Sequence, residues 1–292
     1  MDLQQQLESL DKKEKLYLLQ LIEEQKKREL CLLYALFPEK DTVLSDSVTA
    51  FAIRKYPKHL SFFDLGKQAL IRVFKAGNRC GKSYAGAFEI ACHATGQYPT
   101  WWNGRRFDRP VKIWVASTTA IKTKEIIQYS LIGSSDRPFE RFIPEHLVEE
   151  TTTKPGTPKA IGDMTVRHVS GGLSAISFKD YMQERQAFEG QRVDVIWLDE
   201  EAPKDIFDEC KARIMNTSGV ENAQNGILFL TFTPLQGLTP LIAYLKTESG
   251  TNGTIKIITA EWDDVPHLTE DAKKEMLAGM PPHVRDARMR GI

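Results

Sequence analysis

The eight residues 76–83 read Ala-Gly-Asn-Arg-Cys-Gly-Lys-Ser and constrain the fold of this chain more than any other stretch. A loop of this kind points backbone N–H groups at phosphate, sends its lysine to the β and γ oxygens, and offers its last hydroxyl to Mg²⁺. The usual pattern has glycine where Ala76 stands here, with Gly77 beside it. The loop predicts a nucleoside triphosphate site whose binding residues are Ala76, Gly77, Asn78, Arg79, Cys80, Gly81, Lys82 and Ser83.

The sequence on both sides of the loop has the order that phosphate binding requires. Residues 70–74 form a short apolar run with β-branched side chains, which predicts a buried strand. Residues 84–94 carry apolar side chains at helical spacing and end before Gly96 and Pro99, which predicts a helix. The alternative is a glycine turn in another kind of α/β protein.

The composition is that of an ordinary globular protein. Of 292 residues, 41% are hydrophobic and 27% are charged, which suffices for one large core or two modest ones. Lys and Arg together number 39, as do Asp and Glu, so binding to nucleic acid would need local patches. The four cysteines lack disulfide or metal spacing, which indicates a reducing compartment. Since no secretory signal or long apolar run is present, we expect a cytosolic protein.

Apolar runs of strand length alternate with helical sequence, and this pattern indicates a mostly parallel sheet. Residues 164–169 and 175–178 flank a turn containing Gly171 and Gly172, which predicts an antiparallel hairpin at the sheet edge. Residues 151–162, rich in Thr, Pro and Gly, predict an exposed loop. Besides 70–74, the candidate strands are residues 111–116, 193–198, 227–232 and 255–259.

The first part of the chain differs from the rest. Leucines and aromatics recur at helical spacing from about Leu3 to Phe37, and Pro38 closes the segment. We therefore predict a helical N-terminal appendage over residues 1–50, which could dock onto another subunit, and a P-loop ATPase domain over residues 51–292.

Two carboxylates follow directly on the apolar run 193–198. An ATPase needs one acid to hold Mg²⁺ and another to orient the attacking water, both at the end of a buried strand. Asp199 is our candidate for the metal and Glu200 for the base, while Glu201 supports the local structure. The alternative is a strand that ends in an acidic turn. Because the distance to the loop leaves room for intervening strands, the motifs together predict an additional-strand P-loop fold.

Thr231 and Thr233 end the next candidate strand, just before Pro234. Because proline cannot continue the strand, these hydroxyls lie where a γ-phosphate could be sensed. The alternative explanation is the general preference of threonine for strands.

With these motifs in place, the chain resembles the large terminase subunits of tailed bacteriophages, the motors that pump DNA into preformed capsids. The resemblance extends from about Phe62 to the last residue and is strongest to the podophage-type branch, through the Trp-Trp and Gly-Arg-Arg-Phe strings. The stretches that carry it are residues 76–83, 98–107, 188–190, 197–201 and 231–235.

The resemblance implies an ATP- and Mg²⁺-dependent motor that translocates double-stranded DNA into a procapsid. It implies that Lys82 and Ser83 bind phosphate and Mg²⁺, that Asp199 holds the metal and that Glu200 is catalytic. The loop arginine, Arg79, would stabilise transition-state charge. Thr231 and Thr233 would couple hydrolysis to movement, Phe63 and Gln68 are candidates for adenine recognition, and Arg213, Arg105 and Arg106 are candidates for an arginine supplied to a neighbouring subunit.

The resemblance also implies partners: the DNA backbone held without sequence preference, a portal protein, a small terminase subunit, and further copies in a pentameric ring, in the host cell cytoplasm. Family members continue into a nuclease domain, whereas this chain ends at Ile292 before such a region. We therefore expect an ATPase portion without nuclease activity. Two alternatives stay open: a helicase-like or other nucleic-acid-dependent P-loop ATPase, and a nucleotide-gated adaptor that does not hydrolyse ATP.

Overall fold

The computed structural model describes residues 11–29, 31–45, 48–137, 140–215, 225–251 and 254–292. Residues 1–10, which begin the predicted N-terminal helical pattern, lie outside the described residues. No helix in the described ranges combines the length and the apolar character needed to cross a membrane.

The helices lie mostly where apolar periodicity predicts them. They are α1 (Lys12–Glu29), α2 (Leu32–Ala35), α3 (Pro57–Leu65), α4 (Lys82–Thr95), α5 (Ala120–Lys122, continued by a π-helical turn Thr123–Gln128 and by Tyr129–Ile132), α6 (Lys204–Ile214), α7 (Pro240–Thr251), α8 (Glu270–Ala278) and α9 (Arg285–Arg290).

Two sheets are present in the described part of the chain. A small hairpin pairs β1 (Thr42–Ser45) with β2 (Val48–Ala50). The main sheet contains β3 (Ile71–Ala76), β4 (Lys112–Ser117), β5 (Val148–Thr153), β6 (Ile161–Arg167), β7 (Leu173–Asp180), β8 (Val195–Asp199), β9 (Ile227–Phe232) and β10 (Ile255–Ala260), in the spatial order β10-β3-β9-β8-β4-β7-β6-β5.

The strand order confirms the predicted fold class. The strands from β10 through β7 pair in parallel, and β9 lies between β3 and β8 as the additional strand. Thr231 on β9 is in register with Phe74 on β3 and with Asp199 on β8. The carboxyl ends of the three strands therefore meet at one edge of the sheet.

Both faces of the sheet are buried. Val195 and Trp197 belong to one apolar cluster, whereas Ile196 and Leu198 belong to a second cluster. Because side chains alternate between the faces of a strand, a parallel strand covered on both sides is apolar throughout. This is why the sequence of β8 is a continuous apolar run.

The predicted hairpin is present as the antiparallel pair β6 and β7, with Gly171 and Gly172 at φ +85° and +83°. The predicted loop 151–162 is partly wrong, because its first three residues end β5 and its last two begin β6, and these strands pair at the edge of the sheet. Residues 149–153 of β5 are exposed. An edge strand with polar side chains on both faces has no apolar alternation, and hence no strand signal in the sequence.

The segment after α1 packs into the main core. Cys31, Leu33 and Phe37 are buried in the same apolar cluster as Phe63 and Phe88. The hairpin β1–β2 was not expected within the predicted helical appendage. The division of the chain at residue 50 stays a prediction.

Candidate active site

The glycine-containing loop, the candidate for phosphate binding, joins β3 to α4, as the sequence predicts. Gly81 directly precedes α4 in the left-handed conformation, at φ +79°, and Arg79 is also left-handed, at φ +61°. A helix N-terminus presents unpaired N–H groups and a positive partial charge, which favours an anion. The loop geometry is therefore suited to phosphate.

The Lys82 side chain turns back over the loop. Its Nζ donates to the carbonyl of Gly77 at 2.8 Å. Burial lowers the pKa of Lys82, because desolvation disfavours the ammonium form, while the nearby Glu200 and Asp199 oppose this effect. The Lys82 ammonium, hydrogen-bonded to a carbonyl of the loop, therefore lies where it can bind a phosphate ligand.

A chain of hydrogen bonds joins three elements at the carboxyl edge of the sheet. Ser83 Oγ lies 3.1 Å from Asp199 Oδ1, and Thr231 Oγ1 lies 2.7 Å from the same oxygen. Trp197 Nε1 lies 2.7 Å from Thr231 Oγ1. Because an indole N–H can only donate, Thr231 accepts from Trp197 and donates its own proton to Asp199. The chain fixes the orientation of the Asp199 carboxylate.

The second oxygen of Asp199, Oδ2, is buried and has no hydrogen-bond partner among the described residues. Burial and, to a smaller extent, the adjacent Glu200 charge raise the pKa of Asp199 to about 7, against the opposing effect of Thr231 and Ser83. An orphaned carboxylate oxygen beside a hydroxyl is the oxygen donor set that Mg²⁺ prefers. Asp199 and Ser83 therefore fit the predicted metal.

Glu200 lies at the turn that ends β8. It adopts φ +64°, which is unfavourable for a residue with a side chain. Its N–H donates to Thr231 O at 2.8 Å, and the Tyr181 hydroxyl lies 2.9 Å from Asp199 O and 3.2 Å from Glu200 O. Burial raises the pKa of the Glu200 carboxyl, against the effect of Lys82. The turn thus holds a carboxyl of raised basicity beside the loop.

Thr233 connects the end of β9 to the start of the loop. Its Oγ1 lies 2.8 Å from the carbonyl oxygen of Ala76 and 3.2 Å from Asn78 Oδ1. The two candidate coupling threonines therefore contact different parts of the site. Thr231 contacts Asp199, and Thr233 contacts the loop backbone.

A cavity of about 380 Å³ opens beside Ser83 and Tyr84. Its other walls come from α5 and from the segment that follows it, and include Glu125 and Arg137. The site is therefore open to solvent beside Ser83. The side chain of Cys80, also in the loop, is fully buried.

The structure does not bring the adenine candidates to the loop. Phe63 is completely buried, and its ring packs against Phe37, Phe88 and Trp102, so no ring face is free to stack on a base. Gln68 is exposed but precedes β3, at the amino end of the strand whose carboxyl end carries the loop. Both choices came from the order of residues along the chain, which does not specify the face or the end of an element.

Two of the three candidates for a shared arginine, Arg213 and Arg105, lie near the amino ends of strands, opposite the carboxyl ends where the loop is found. Arg213 forms a salt bridge with Glu209, and its carbonyl accepts from Val193, just ahead of β8. Arg105 donates to the carbonyl of Asn225, ahead of β9, and Arg106 donates to the carbonyl of Trp102. Arg79 alone of the predicted arginines is in the loop, and it is exposed.

Sequence reasoning missed several residues that contact the site. The sequence indicates Trp197 only as part of an apolar strand and of the stretch 197–201 that carries the resemblance. Trp262 Nε1 donates to the carbonyl of Asn78 at 2.8 Å, and His267 Nε2 lies 2.8 Å from the carbonyl of Arg79. Each contact joins residues more than 180 positions apart, and no local pattern marks such pairs.

Comparison with known proteins identifies the same family. The family model "Terminase large subunit, T4likevirus-type, N-terminal" matches residues 73–292. The large terminase subunit of Salmonella phage P22 is 32% identical over 314 aligned positions that include the whole chain, and the chain spans 58% of that relative.

Solved structures share the fold at low identity. A variant of the large terminase ATPase domain of Thermus phage P74-26 superposes with a TM-score of 0.52 at 16% identity, over 81% of this chain and 95% of that one. A large terminase from a thermophilic bacteriophage in complex with ADP superposes with a TM-score of 0.55 at 13% identity, over 82% of this chain and 52% of that one.

Proposed function

This chain belongs to the large terminase subunits of bacteriophages, and from that premise we propose that it is an ATPase motor that drives double-stranded DNA into a procapsid. The observation that carries the proposal is the meeting of Lys82, Ser83, Asp199 and Thr231 at one edge of the sheet. The solved relative that contains ADP supports a nucleotide ligand.

Binding would begin at the loop. Lys82 and the N–H groups ahead of α4 would hold the phosphates, while Ser83 and Asp199 would hold Mg²⁺. When bound, Mg²⁺ neutralises charge on the phosphate oxygens. Glu200 would orient the attacking water and accept its proton, since its raised pKa makes it a better base than an exposed carboxylate. Arg79 would stabilise charge on the transferred phosphoryl group.

We infer that β9 couples ATP hydrolysis to movement. Thr231 donates to Asp199, and Thr233 donates toward the loop carbonyl of Ala76. Loss of the γ-phosphate would change both contacts, because one involves the proposed metal ligand and the other the start of the loop. The strand end could then move the segment that follows it, residues 233–239.

The DNA contact would be electrostatic. Because the chain has no net charge, DNA binding would depend on local basic residues that contact the backbone phosphates. This binding would weaken as the salt concentration rises. The candidates for contact with the DNA backbone are Lys122, Lys124, Arg137, Arg141, Lys154 and Lys159. Of these, Lys154 forms a salt bridge with Asp180 at 2.6 Å, whereas Lys122 and Lys159 are exposed.

The remaining parts of the proposal concern the assembly. We infer a pentameric ring on the procapsid, a portal protein and a small terminase subunit as partners, and an arginine shared between neighbours. DNA cleavage by these residues is not part of the proposal. In support, the late acids Asp263 and Glu270 share one lysine, Lys273, in salt bridges on the surface.

The test is phosphate release with and without double-stranded DNA. We expect ATP turnover by the wild-type chain, and a fall of about 10²–10⁴-fold in Glu200→Gln with nucleotide affinity preserved, because only proton transfer is lost. Glu275→Gln, exposed on α8, is the matched control and should retain turnover.

Two outcomes would favour the alternatives. Negligible turnover by the wild type, even with DNA and partner proteins, together with tight ATP binding would indicate a nucleotide-gated adaptor. ATP-dependent separation of a labelled duplex would indicate a helicase.

A further inference from the structure

The outer side of the phosphate loop is held by the last third of the chain. Asn78 N–H donates to the carbonyl of Arg288 on α9 at 2.6 Å. Trp262 Nε1–H, in the turn after β10, donates to the carbonyl of Asn78 at 2.8 Å. His267 Nε2 lies 2.8 Å from the carbonyl of Arg79. Three consecutive peptide groups of the loop are therefore bonded from outside.

Because the peptide bond is planar, these outer contacts also determine the direction of the N–H groups on the inner side of the loop. In a trans peptide the C=O and the following N–H point in opposite directions. If the carbonyl of Asn78 is held toward Trp262, the N–H of Arg79 points to the other side. The same holds for the carbonyl of Arg79, held toward His267, and the N–H of Cys80.

The peptide group between Gly77 and Asn78 shows the same opposition of C=O and N–H. Here the N–H of Asn78 points outward to Arg288, so the carbonyl of Gly77 should point inward. It does, because it accepts from Lys82 Nζ at 2.8 Å. The outer wall also lies close to the loop, since a Cβ on Gly77 would come within 2.3 Å of the carbonyl oxygen of Met289.

We propose that Trp262 and His267 are positioning residues of the nucleotide site, which aim the N–H groups of Arg79 and Cys80 at the bound phosphates by holding two carbonyls outward. This inference rests on the proposed nucleotide binding. Both residues lie well outside the loop motif, and their roles follow from the two carbonyl contacts.

The hydrogen-bond partners of His267 favour one tautomer of its ring. Since Nε2 must donate to the Arg79 carbonyl, Nδ1 of the neutral ring accepts, and the Tyr56 hydroxyl, 3.1 Å away, is its donor. The Tyr56 and His267 rings also stack, with centroids 5.8 Å apart. The left-handed φ of Arg79, +61°, is a costly backbone conformation that these contacts maintain.

The opposing explanation is that the two side chains only attach the last third of the chain to the domain. Variants that remove an N–H donor, together with one variant that restores a donor, distinguish the two explanations. Trp262→Phe keeps a buried aromatic ring without its donor. His267→Ala removes the donor, whereas His267→Gln places an amide N–H near the position of Nε2 and serves as the rescue variant.

The experiment measures the Kd of a fluorescent ADP with Mg²⁺, its competition by pyrophosphate, kcat at saturating ATP, and thermal unfolding without nucleotide. We expect Trp262→Phe and His267→Ala each to raise the Kd for ADP and for pyrophosphate by about fivefold, the size of one lost hydrogen bond. His267→Gln should stay within about twofold of wild type. The kcat of every variant should change less than its Kd, because the chemistry at Glu200 is untouched.

Wild-type affinity in both Trp262→Phe and His267→Ala would overturn the proposal, even if their unfolding temperatures fall. So would equal weakening in His267→Gln and His267→Ala. If His267→Ala does not fold, Tyr56→Phe removes the hydroxyl that orients the ring and should raise the Kd in the same direction. A wild type that binds ADP without hydrolysing ATP would refute the proposed motor and leave this inference standing.

Discussion

Ser83 and Asp199 are 116 residues apart in the chain, and the Ser83 hydroxyl lies 3.1 Å from Asp199 Oδ1. β9 lies between the strands that carry the two residues, and it places Thr231 in register with Phe74 near the end of β3 and with Asp199 at the end of β8. Thr231 therefore occupies the centre of the site, and its hydroxyl is the first group to test.

Replacing Thr231 with valine removes the donor to Asp199 and the acceptor for Trp197 without a large change in volume. A lost hydrogen bond to a charged group is worth about 1.5–3 kcal/mol, so we expect kcat to fall at least tenfold. Thr231→Ser keeps the hydroxyl and is the matched control. Steady-state phosphate release measures the effect, and wild-type kcat in the valine variant would contradict the assigned role.

Lys82 is expected to affect stability and binding in opposite directions. Because burial lowers its pKa, its charge weakens the empty fold, and Lys82→Met should unfold at the same or a higher temperature. The same variant should bind ADP about 10–100-fold more weakly, since the charged donor is lost. Calorimetry and a binding titration measure the two effects. Lys112→Met, at an exposed lysine, should leave ADP affinity unchanged, and a large fall in the melting temperature of Lys82→Met would contradict the argument.

A buried ion pair connects the two elements that flank the loop. Arg72 on β3 and Glu89 on α4 are completely buried and paired, and His93 also contacts Glu89. Burial opposes ionisation, but Arg72 and His93 together lower the pKa of Glu89. Glu89→Gln would leave a buried guanidinium unpaired, and we expect a loss of about 3–5 kcal/mol in the free energy of unfolding.

Urea denaturation measures this loss. The matched control is Asp208→Asn in the solvent-accessible pair Lys204–Asp208, which should cost less than about 1 kcal/mol. If the two variants lose similar amounts of unfolding free energy, the buried pair stabilises the fold no more than an exposed pair does.

His59 should make the protein sensitive to acid. It is completely buried against Gly81 of the loop, and burial, with a smaller effect of His267, lowers its pKa from 6.5 to about 3. As pH falls below 6.5, the unfolded chain takes up a proton that the folded protein cannot accept until about pH 3. Stability is therefore complete above pH 6.5 and is lost as pH falls.

The comparison of wild type with His59→Leu isolates this contribution. Below pH 6.5, wild type should lose about 1.4 kcal/mol per pH unit relative to the variant. Urea titrations between pH 7.5 and 5 measure the difference. If the free energies of unfolding of wild type and His59→Leu change equally with pH, the pKa of His59 is not lowered as described.

Local patterns were sufficient for the central part of the fold. The run 70–74 corresponds to β3, the run 193–198 to β8, and the glycine loop joins β3 to α4. These predictions succeed because a strand buried on both faces must be apolar and a left-handed loop position favours glycine. The edge strand β5 was missed because neither constraint applies to a polar strand at the surface.

The sequence does not decide between similar residues when only their three-dimensional positions differ. Phe63 and Gln68 lie in the expected segment, yet one is in the core and the other is at the amino end of β3. Trp262 and His267 contact the loop from more than 180 residues away, and nothing near them in the sequence indicates this.

The amino-acid sequence by itself determined which residues are candidates for the chemistry, because the loop 76–83 and the acids at 199 and 200 are short motifs formed by neighbours in the chain. Only the tertiary structure decided which residues surround that chemistry. The order β3-β9-β8 inserts Thr231 between the loop and Asp199, and the packing of residues 260–291 supplies the outer wall of the loop. Contacts of this kind depend on how strands and helices pack, and packing is a property of the whole chain.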